Sequence, residues 1–189
     1  MAQQLSNHVV FSGGGTGGHL FPGLAVAASL VKSAPGTRIT FAGSGRELER
    51  RLVAEAGYRY LAIDCRPFRL RPDRLVSFMT AHIRGRVRAR ALLAAEQPNV
   101  VVGLGGFASV PLAHAAAAAR IPLVLLEQNA VAGRANRWLA PRASLICLAF
   151  EEARAGLPRT AGRVLLTGNP IREDFGNPHQ RRTNAAGRR

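Results

Sequence analysis

Short apolar or β-branched runs alternate with longer helical patterns along nearly the whole chain, and this rhythm limits the fold more than any other feature. The runs fall at residues 8–12, 38–42, 59–63, 99–104, 123–126, 144–148 and 164–167. Between them lie helical patterns at 20–33, 46–56, 73–96, 109–119 and 134–140. A strand that returns parallel to its predecessor needs a crossover, and the crossover is usually a helix, so the alternation predicts a parallel sheet. Val100, Val101 and Val102, and then Leu123, Val124, Leu125 and Leu126, are apolar without interruption, as central strands buried on both faces require. The expected class is α/β, a Rossmann-like parallel sheet with helices on both faces.

The pattern stops after Pro170, and the remaining residues are polar and basic with no periodic apolar face. Residues 1–172 are therefore expected to form one domain, and residues 173–189 a basic linker or disordered tail. With 47% apolar residues in a chain of 189, disorder is excluded for the whole. No run reaches the roughly 18 apolar residues of a membrane span, and residues 1–7 carry no basic group for a signal peptide, so a cytoplasmic protein is expected. Cys65 and Cys147 stand apart from any CxxC or Cys/His cluster and are expected to be buried thiols, with no metal site.

Twenty-six Lys and Arg face 11 Asp and Glu, a formal charge of +15. All but one of the bases are Arg, a bias that genome composition can produce, so location is more telling than the total. Arg66, Arg69, Arg71, Arg74, Arg84, Arg86, Arg88 and Arg90 crowd a stretch whose acids are Asp64 and Asp73. Within it Leu75, Met79, Ile83 and Val87 recur every four residues, with Phe78 alongside. Two readings stay open: a core face, or a helix lying on a membrane surface. They are compatible if Leu75, Phe78 and Met79 face outward beside Arg74 while Ile83 and Val87 are buried. A nucleic-acid partner is not expected, since only 6% of residues are aromatic and no recognition motif accompanies the arginines.

Glycine loops carry the chemistry. Gly13, Gly15 and Gly18 satisfy GxGxxG between the first strand and first helix, a place where backbone N–H groups can meet an anion. The dinucleotide version needs an acid at the end of the second strand, and residues 38–44 offer none. A P-loop is excluded because His19 and Leu20 stand where Lys and Ser or Thr are required. A phosphate-binding loop of neither kind is expected, with a tight turn alone as the alternative. A second loop, with Gly105 and Gly106, comes after the fourth strand, and Glu127, Gln128 and Asn129 come after the fifth. Polar groups at the carboxyl ends of parallel strands suit sugar hydroxyls and phosphates.

The strings GGTGGHLFP from Gly14, GLGGFASVP from Gly103, EQNAVAGRANR from Glu127 and TGNPIR from Thr167 together resemble the MurG family of peptidoglycan glycosyltransferases. The stretch from Gly45 to Val53 with Gly57 and Tyr58 is similar as well, and the match covers roughly residues 8–174. The resemblance implies the N-terminal half of a GT-B enzyme that moves N-acetylglucosamine from UDP-GlcNAc to lipid I, with inversion, at the cytoplasmic face of the inner membrane. UDP-GlcNAc would be the donor substrate, and no cofactor or metal is implied. It also implies donor contacts at Thr16, Gly17, Gly18, Asn129 and Arg172, and an anionic membrane surface at the Arg74–Met79 region. His19 becomes the candidate general base for the acceptor hydroxyl, with helix capping or phosphate bonding as the open alternative. Glu127 is expected to orient rather than transfer a proton. Leu126 stands where the family carries His, which is expected to remove a polar group from the cleft wall. The nucleotide-sugar domain is expected to be absent, so turnover would need a C-terminal half, which a partner chain could supply. The rival reading is a non-catalytic module that binds lipid I or the membrane surface.

Overall fold

The computed structural model describes residues 7–14, 17–63, 75–160 and 162–170, and for residues 75–84 the backbone alone. Among the described residues the elements run β1 (His8–Ser12), α1 (Gly17–Ser33), β2 (Arg38–Gly43), α2 (Glu47–Glu55), β3 (Arg59–Ala62), α3 (Leu75–Glu96), β4 (Val100–Gly103), α4 (Val110–Ala118), β5 (Leu123–Glu127), α5 (Arg134–Leu139), β6 (Leu145–Leu148) and β7 (Arg163–Leu166). The strands form one sheet in the order β3-β2-β1-β4-β5-β6-β7, and every pair is parallel. The expected α/β class and Rossmann-like sheet are what the chain adopts. The order reverses between β1 and β4, the switch point at which open α/β sheets bind ligands.

Alternation along the strands sorts the core into two layers. Val10, Ala42, Val101, Leu123, Leu125, Ile146 and Leu148 pack with Ala89 and Leu93 of α3, Leu112, Ala113 and Ala116 of α4, and Leu139 of α5. The neighbouring positions Val9, Phe11, Ile39, Phe41 and Val102 pack with Leu20, Leu24 and Ala27 of α1 and Val53 of α2. Phe11 and Phe41 stack across the β1–β2 pair, their ring centres 4.9 Å apart. α1 can sit low on β4 because Gly23 has no side chain; a Cβ there would stand 2.6 Å from Leu104 Cδ1.

Two expectations need correction, and one element was not expected. Val87 is 62% exposed rather than buried, and among the described side chains of α3 the buried positions are Gly85, Ala89, Leu93 and Glu96. Leu126, expected on a cleft wall, is 7% exposed and packs in the α1–α2 layer, so its side chain belongs to the core. A 3-10 segment at Glu151–Gly156, unforeseen from the sequence, comes after β6.

At the amino edge of the sheet, opposite the glycine loops, lies a buried polar group. His8 has Nδ1 2.7 Å from the Glu96 carbonyl and Nε2 3.0 Å from Thr40 Oγ1. Arg59 pairs with the Glu96 carboxylate at 2.9 Å, and Arg38 donates to the Glu96 carbonyl at 2.9 Å. The cluster ties the end of α3 to β1, β2 and β3, and burial lowers the pKa of His8.

Candidate functional site

Because the strands are parallel, the loops after β1, β4 and β5 emerge side by side at the carboxyl edge. The first two meet backbone to backbone. A Cβ on Gly13 would stand 2.7 Å from Leu104 Cβ, and one on Gly106 would stand 3.2 Å from the Gly14 carbonyl oxygen. Gly14 and Gly106 also have φ values of 146° and 70°, which side-chain-bearing residues rarely adopt. Glycine at these positions is accounted for by close approach and backbone conformation with no ligand invoked. The second loop is locked from below: Ser109 Oγ donates to the Gly106 carbonyl at 2.9 Å, and Ser12 Oγ donates to the Ser109 carbonyl at 3.3 Å.

His19 sits in the first turn of α1, half-buried, against the second glycine loop. A Cβ on Gly105 would lie 3.3 Å from its Nδ1, and one on Gly106 would lie 3.5 Å from its Cδ2. Its Nδ1 is 3.2 Å from Gln128 Oε1. An amide oxygen only accepts, so Nδ1 is the donor in this contact, which is the tautomer that puts the lone pair of a neutral ring on Nε2. Beside this pair, Gln128 Nε2 and Asn136 Oδ1 are buried without a hydrogen-bond partner. Orphaned amide groups at the meeting point of three loops are candidates for bonding a ligand.

Glu127 ends β5 with its carboxylate 2% exposed and fully used. Oε1 accepts from the backbone N and from Nδ2 of Asn129, both at 3.0 Å, while Oε2 accepts from Gly133 N at 2.8 Å and Asn136 Nδ2 at 3.0 Å. Four donors leave no lone pair aimed outward, so this carboxylate shapes the loop that presents Gln128 and Asn129.

The structure treats the other expected site residues differently. Gly17 and Gly18 open α1, where Pro22 has no N–H for the Gly18 carbonyl. Asn129 is exposed and held by Glu127. Thr16, Arg172, Arg74 and Cys65 lie outside the described residues, as do the side chains of Leu75, Phe78, Met79 and Ile83. Cys147 on β6 is half-buried, and burial raises its thiol pKa. Among the described residues, no group of three or more His, Cys, Asp or Glu could hold a metal ion, and no helix is long and apolar enough to cross a membrane.

Glu49, inside the Gly45–Val53 stretch, and Tyr60 were not singled out as site residues from the sequence. Glu49 is 3% exposed and accepts from Ser44 Oγ at 2.6 Å and from the Tyr60 hydroxyl, directly beneath the first glycine loop. Burial, and after it the bond to Glu49, pushes the Tyr60 pKa well up, so its hydroxyl stays a donor. The available signal was an acid on the buried face of α2, one turn before Val53.

The pattern of the Glycosyltransferase family 28 N-terminal domain matches residues 9–147. The chain belongs to that family. Among curated relatives, a UDP-N-acetylglucosamine–N-acetylmuramyl-(pentapeptide) pyrophosphoryl-undecaprenol N-acetylglucosamine transferase of Halothermothrix orenii is 46% identical over 167 residues, 87% of this chain and 44% of that protein. A relative of the same name from Prosthecochloris aestuarii is 41% identical over 174 residues, 89% of this chain and 47% of its own length. The family 28 chain thus spans about half the length of the curated relatives it matches. In three dimensions, Acinetobacter baumannii MurG superposes with a TM-score of 0.69 at 29% identity, over 91% of this chain and 48% of that one. A Neisseria meningitidis UDP-GlcNAc 2-epimerase, solved with UDP-GlcNAc, shares the fold alone, at a TM-score of 0.60 and 16% identity over 86% of this chain and 45% of the epimerase. The resemblance drawn from the glycine and EQN motifs therefore holds across the described fold.

Proposed function

We propose that this domain is the acceptor-side half of an inverting N-acetylglucosaminyltransferase that makes lipid II from UDP-GlcNAc and lipid I. The observation that carries the reading is His19, set at the start of α1 with Nδ1 engaged by Gln128 Oε1 and with two orphaned amide groups beside it. In the reaction, the 4-hydroxyl of the acceptor's N-acetylmuramoyl sugar attacks the anomeric carbon of the donor. Its proton passes to His19 Nε2, the new C–O bond forms, and the bond to UDP breaks with the electron pair leaving on the diphosphate. The N–H groups of Gly17 and Gly18, at the positive end of α1, face the pyrophosphate of a substrate. Gly105, Gly106 and Gln128 line the acceptor sugar, and Asn129 with Thr16 and Arg172 reaches the donor held by a C-terminal half such as the relatives carry.

The lipid acceptor puts the domain on the cytoplasmic face of the inner membrane, peripherally, with Arg74, Leu75, Phe78 and Met79 against the surface. Two features outside that stretch support a membrane-facing side. Trp138 is 45% exposed, stacked on His114 at 5.0 Å, with the Arg142 guanidinium 5.6 Å from its ring centre. A wetted tryptophan beside a cation is the chemistry of an interfacial anchor.

The test is transfer of labelled N-acetylglucosamine from UDP-GlcNAc to a lipid I analogue in anionic vesicles, with the chain alone and with the C-terminal half of a relative added. Retention of the lipid I analogue by the chain, and transfer only with the added half, is expected. His19→Ala should abolish that transfer and leave the melting temperature within a few degrees. Full turnover in His19→Ala removes His19 as the base. Vesicle binding that does not depend on the lipid I analogue, with no transfer under either condition, turns the domain into a membrane-binding module.

A further inference from the structure

Only two residues of α2 are buried, Val53 and Glu49, so a carboxylate fills a position that would ordinarily make a core contact. Two glycines at adjacent strand ends make room for it. A Cβ on Gly14 would stand 2.6 Å from Glu49 Oε1, and a Cβ on Gly43 would stand 2.6 Å from Oε2 and 2.8 Å from the Tyr60 hydroxyl oxygen. Two hydroxyls hold the carboxylate there: Ser44 Oγ donates at 2.6 Å and Tyr60 donates from the other side. The Tyr60 oxygen in turn accepts from Gly45 N at 2.8 Å, which fixes the loop after β2 to the same knot. Arg50, one residue on, donates from Nε to the Gly45 carbonyl at 3.1 Å and lies over the Tyr60 ring.

We infer that Glu49 is the positioning residue of the first glycine loop: its carboxylate seats Gly14, whose carbonyl abuts Gly106, and so sets where the start of α1 and His19 meet a pyrophosphate-linked acceptor. A side chain on either glycine would break this arrangement: a Cβ on Gly14 would run into Glu49 Oε1, and one on Gly106 would crowd both the Gly14 carbonyl oxygen at 3.2 Å and the His19 ring at 3.5 Å. The same geometry gives the loop a polarity. The Glu49 side chain with its Ser44 and Tyr60 donors fills the side toward α2, so the space the loop leaves for an anion is on the His19 and Gly106 side. This separates it from loops whose inner concavity itself cradles a phosphate. The identity of the ligand rests on the function proposed above; the seating of the loop does not.

The experiment compares the whole chain with Glu49→Gln, Tyr60→Phe and the double variant by amide hydrogen exchange and by affinity for a lipid I analogue. Glu49→Gln should speed exchange at Gly13, Gly14, Gly17 and Gly18 by about tenfold, roughly the loss of one hydrogen bond. Amides of Val101 and Leu123 in the central strands should keep the parental rate. Affinity for the analogue should fall by a similar factor. Tyr60→Phe should act in the same direction, and the double variant should be no worse than Glu49→Gln, because both remove one bond. Parental loop exchange in Glu49→Gln overturns the assignment; so does acceleration of loop and central strands together, which marks a merely structural role. If Glu49→Gln does not fold, Tyr60→Phe decides alone by the same loop-specific criterion. If the parent chain does not bind the analogue, the acceptor reading fails, and the exchange rates still decide the role of Glu49.

Discussion

At the scale of single residues, buried polar groups at opposite edges of the sheet do different work. At the carboxyl edge, Glu127 and Glu49 spend their carboxylates on loop backbone and neighbouring side chains, and among the described residues His19 is held through Nδ1 by Gln128. At the amino edge, His8 faces Thr40, Glu96, Arg38 and Arg59 from every element packed around it. Burial is the largest cause that lowers its pKa below 6.5, assisted by the two arginines and opposed by Glu96. The neutral ring is therefore the one the folded chain prefers. Above pH 6.5 both folded and unfolded chains hold His8 neutral, and its contribution is complete. As pH falls below 6.5 the unfolded chain takes up a proton first, so stability is lost progressively until the pH passes the lower folded value. Urea unfolding at pH 8 and pH 5 should show a drop in the parent that is smaller in His8→Gln. An equal drop in both removes His8 as its source. None of this could be read from sequence, because the partners of His8 lie 30 or more residues away and meet only when the sheet forms.

Among the elements, strands were the most legible. The run at 8–12 is β1 to the residue, and no end of the others shifts by more than one, because continuous apolar runs between turns leave little choice of register. α1 begins at Gly17, ahead of its first apolar residue, since a first helical turn needs no apolar side chain. α3 departs from its apolar pattern for a geometric reason. A stripe repeated every four residues rotates about 40° per step around an α-helix, so Val87 stands about 120° from Leu75. Among the described positions the buried ones are instead Gly85, Ala89, Leu93 and Glu96, and Ala89 and Leu93 share a core layer with Ala113 and Ala116 of α4. Counting large apolar residues cannot see such a face. Helix ends were equally hidden. α4 closes through Arg120 at φ 59°, with Ile121 N bonded to the Ala116 carbonyl at 2.9 Å. A left-handed closing residue favours glycine, and Arg120 is exposed, so Arg120→Gly should raise stability by about 0.5–1 kcal/mol. Thermal unfolding checks it, and a lower midpoint would mean the arginine stem contributes more than its backbone costs.

For the whole molecule, the proposed contact with a lipid surface depends on charge rather than on fold. Twenty-six basic against 11 acidic residues give +15, and exposed cations stand on α3 at Arg88 and Arg90 and on α5 at Arg134 and Arg137. The motifs located the loops that meet at the carboxyl edge, because the ends of neighbouring parallel strands lie side by side. Neither charge total nor motif order shows which side faces a bilayer, since that depends on which arginines share a surface once the helices have packed. Each Arg near an anionic surface is worth about 1 kcal/mol at low salt, and screening shortens its reach to about 8 Å at physiological ionic strength. Binding to vesicles containing anionic phospholipid should therefore fall steeply between low and physiological salt, while neutral vesicles retain little of the chain. Reversing Arg88 and Arg90 to Glu should weaken anionic-vesicle binding by at least tenfold if α3 lies along the surface. Reversing Arg51 and Arg163, exposed on α2 and β7, leaves the total charge equal to that of the α3 variant. Equal losses from the two pairs would show that net charge, and not an oriented α3 face, attracts the chain to the membrane.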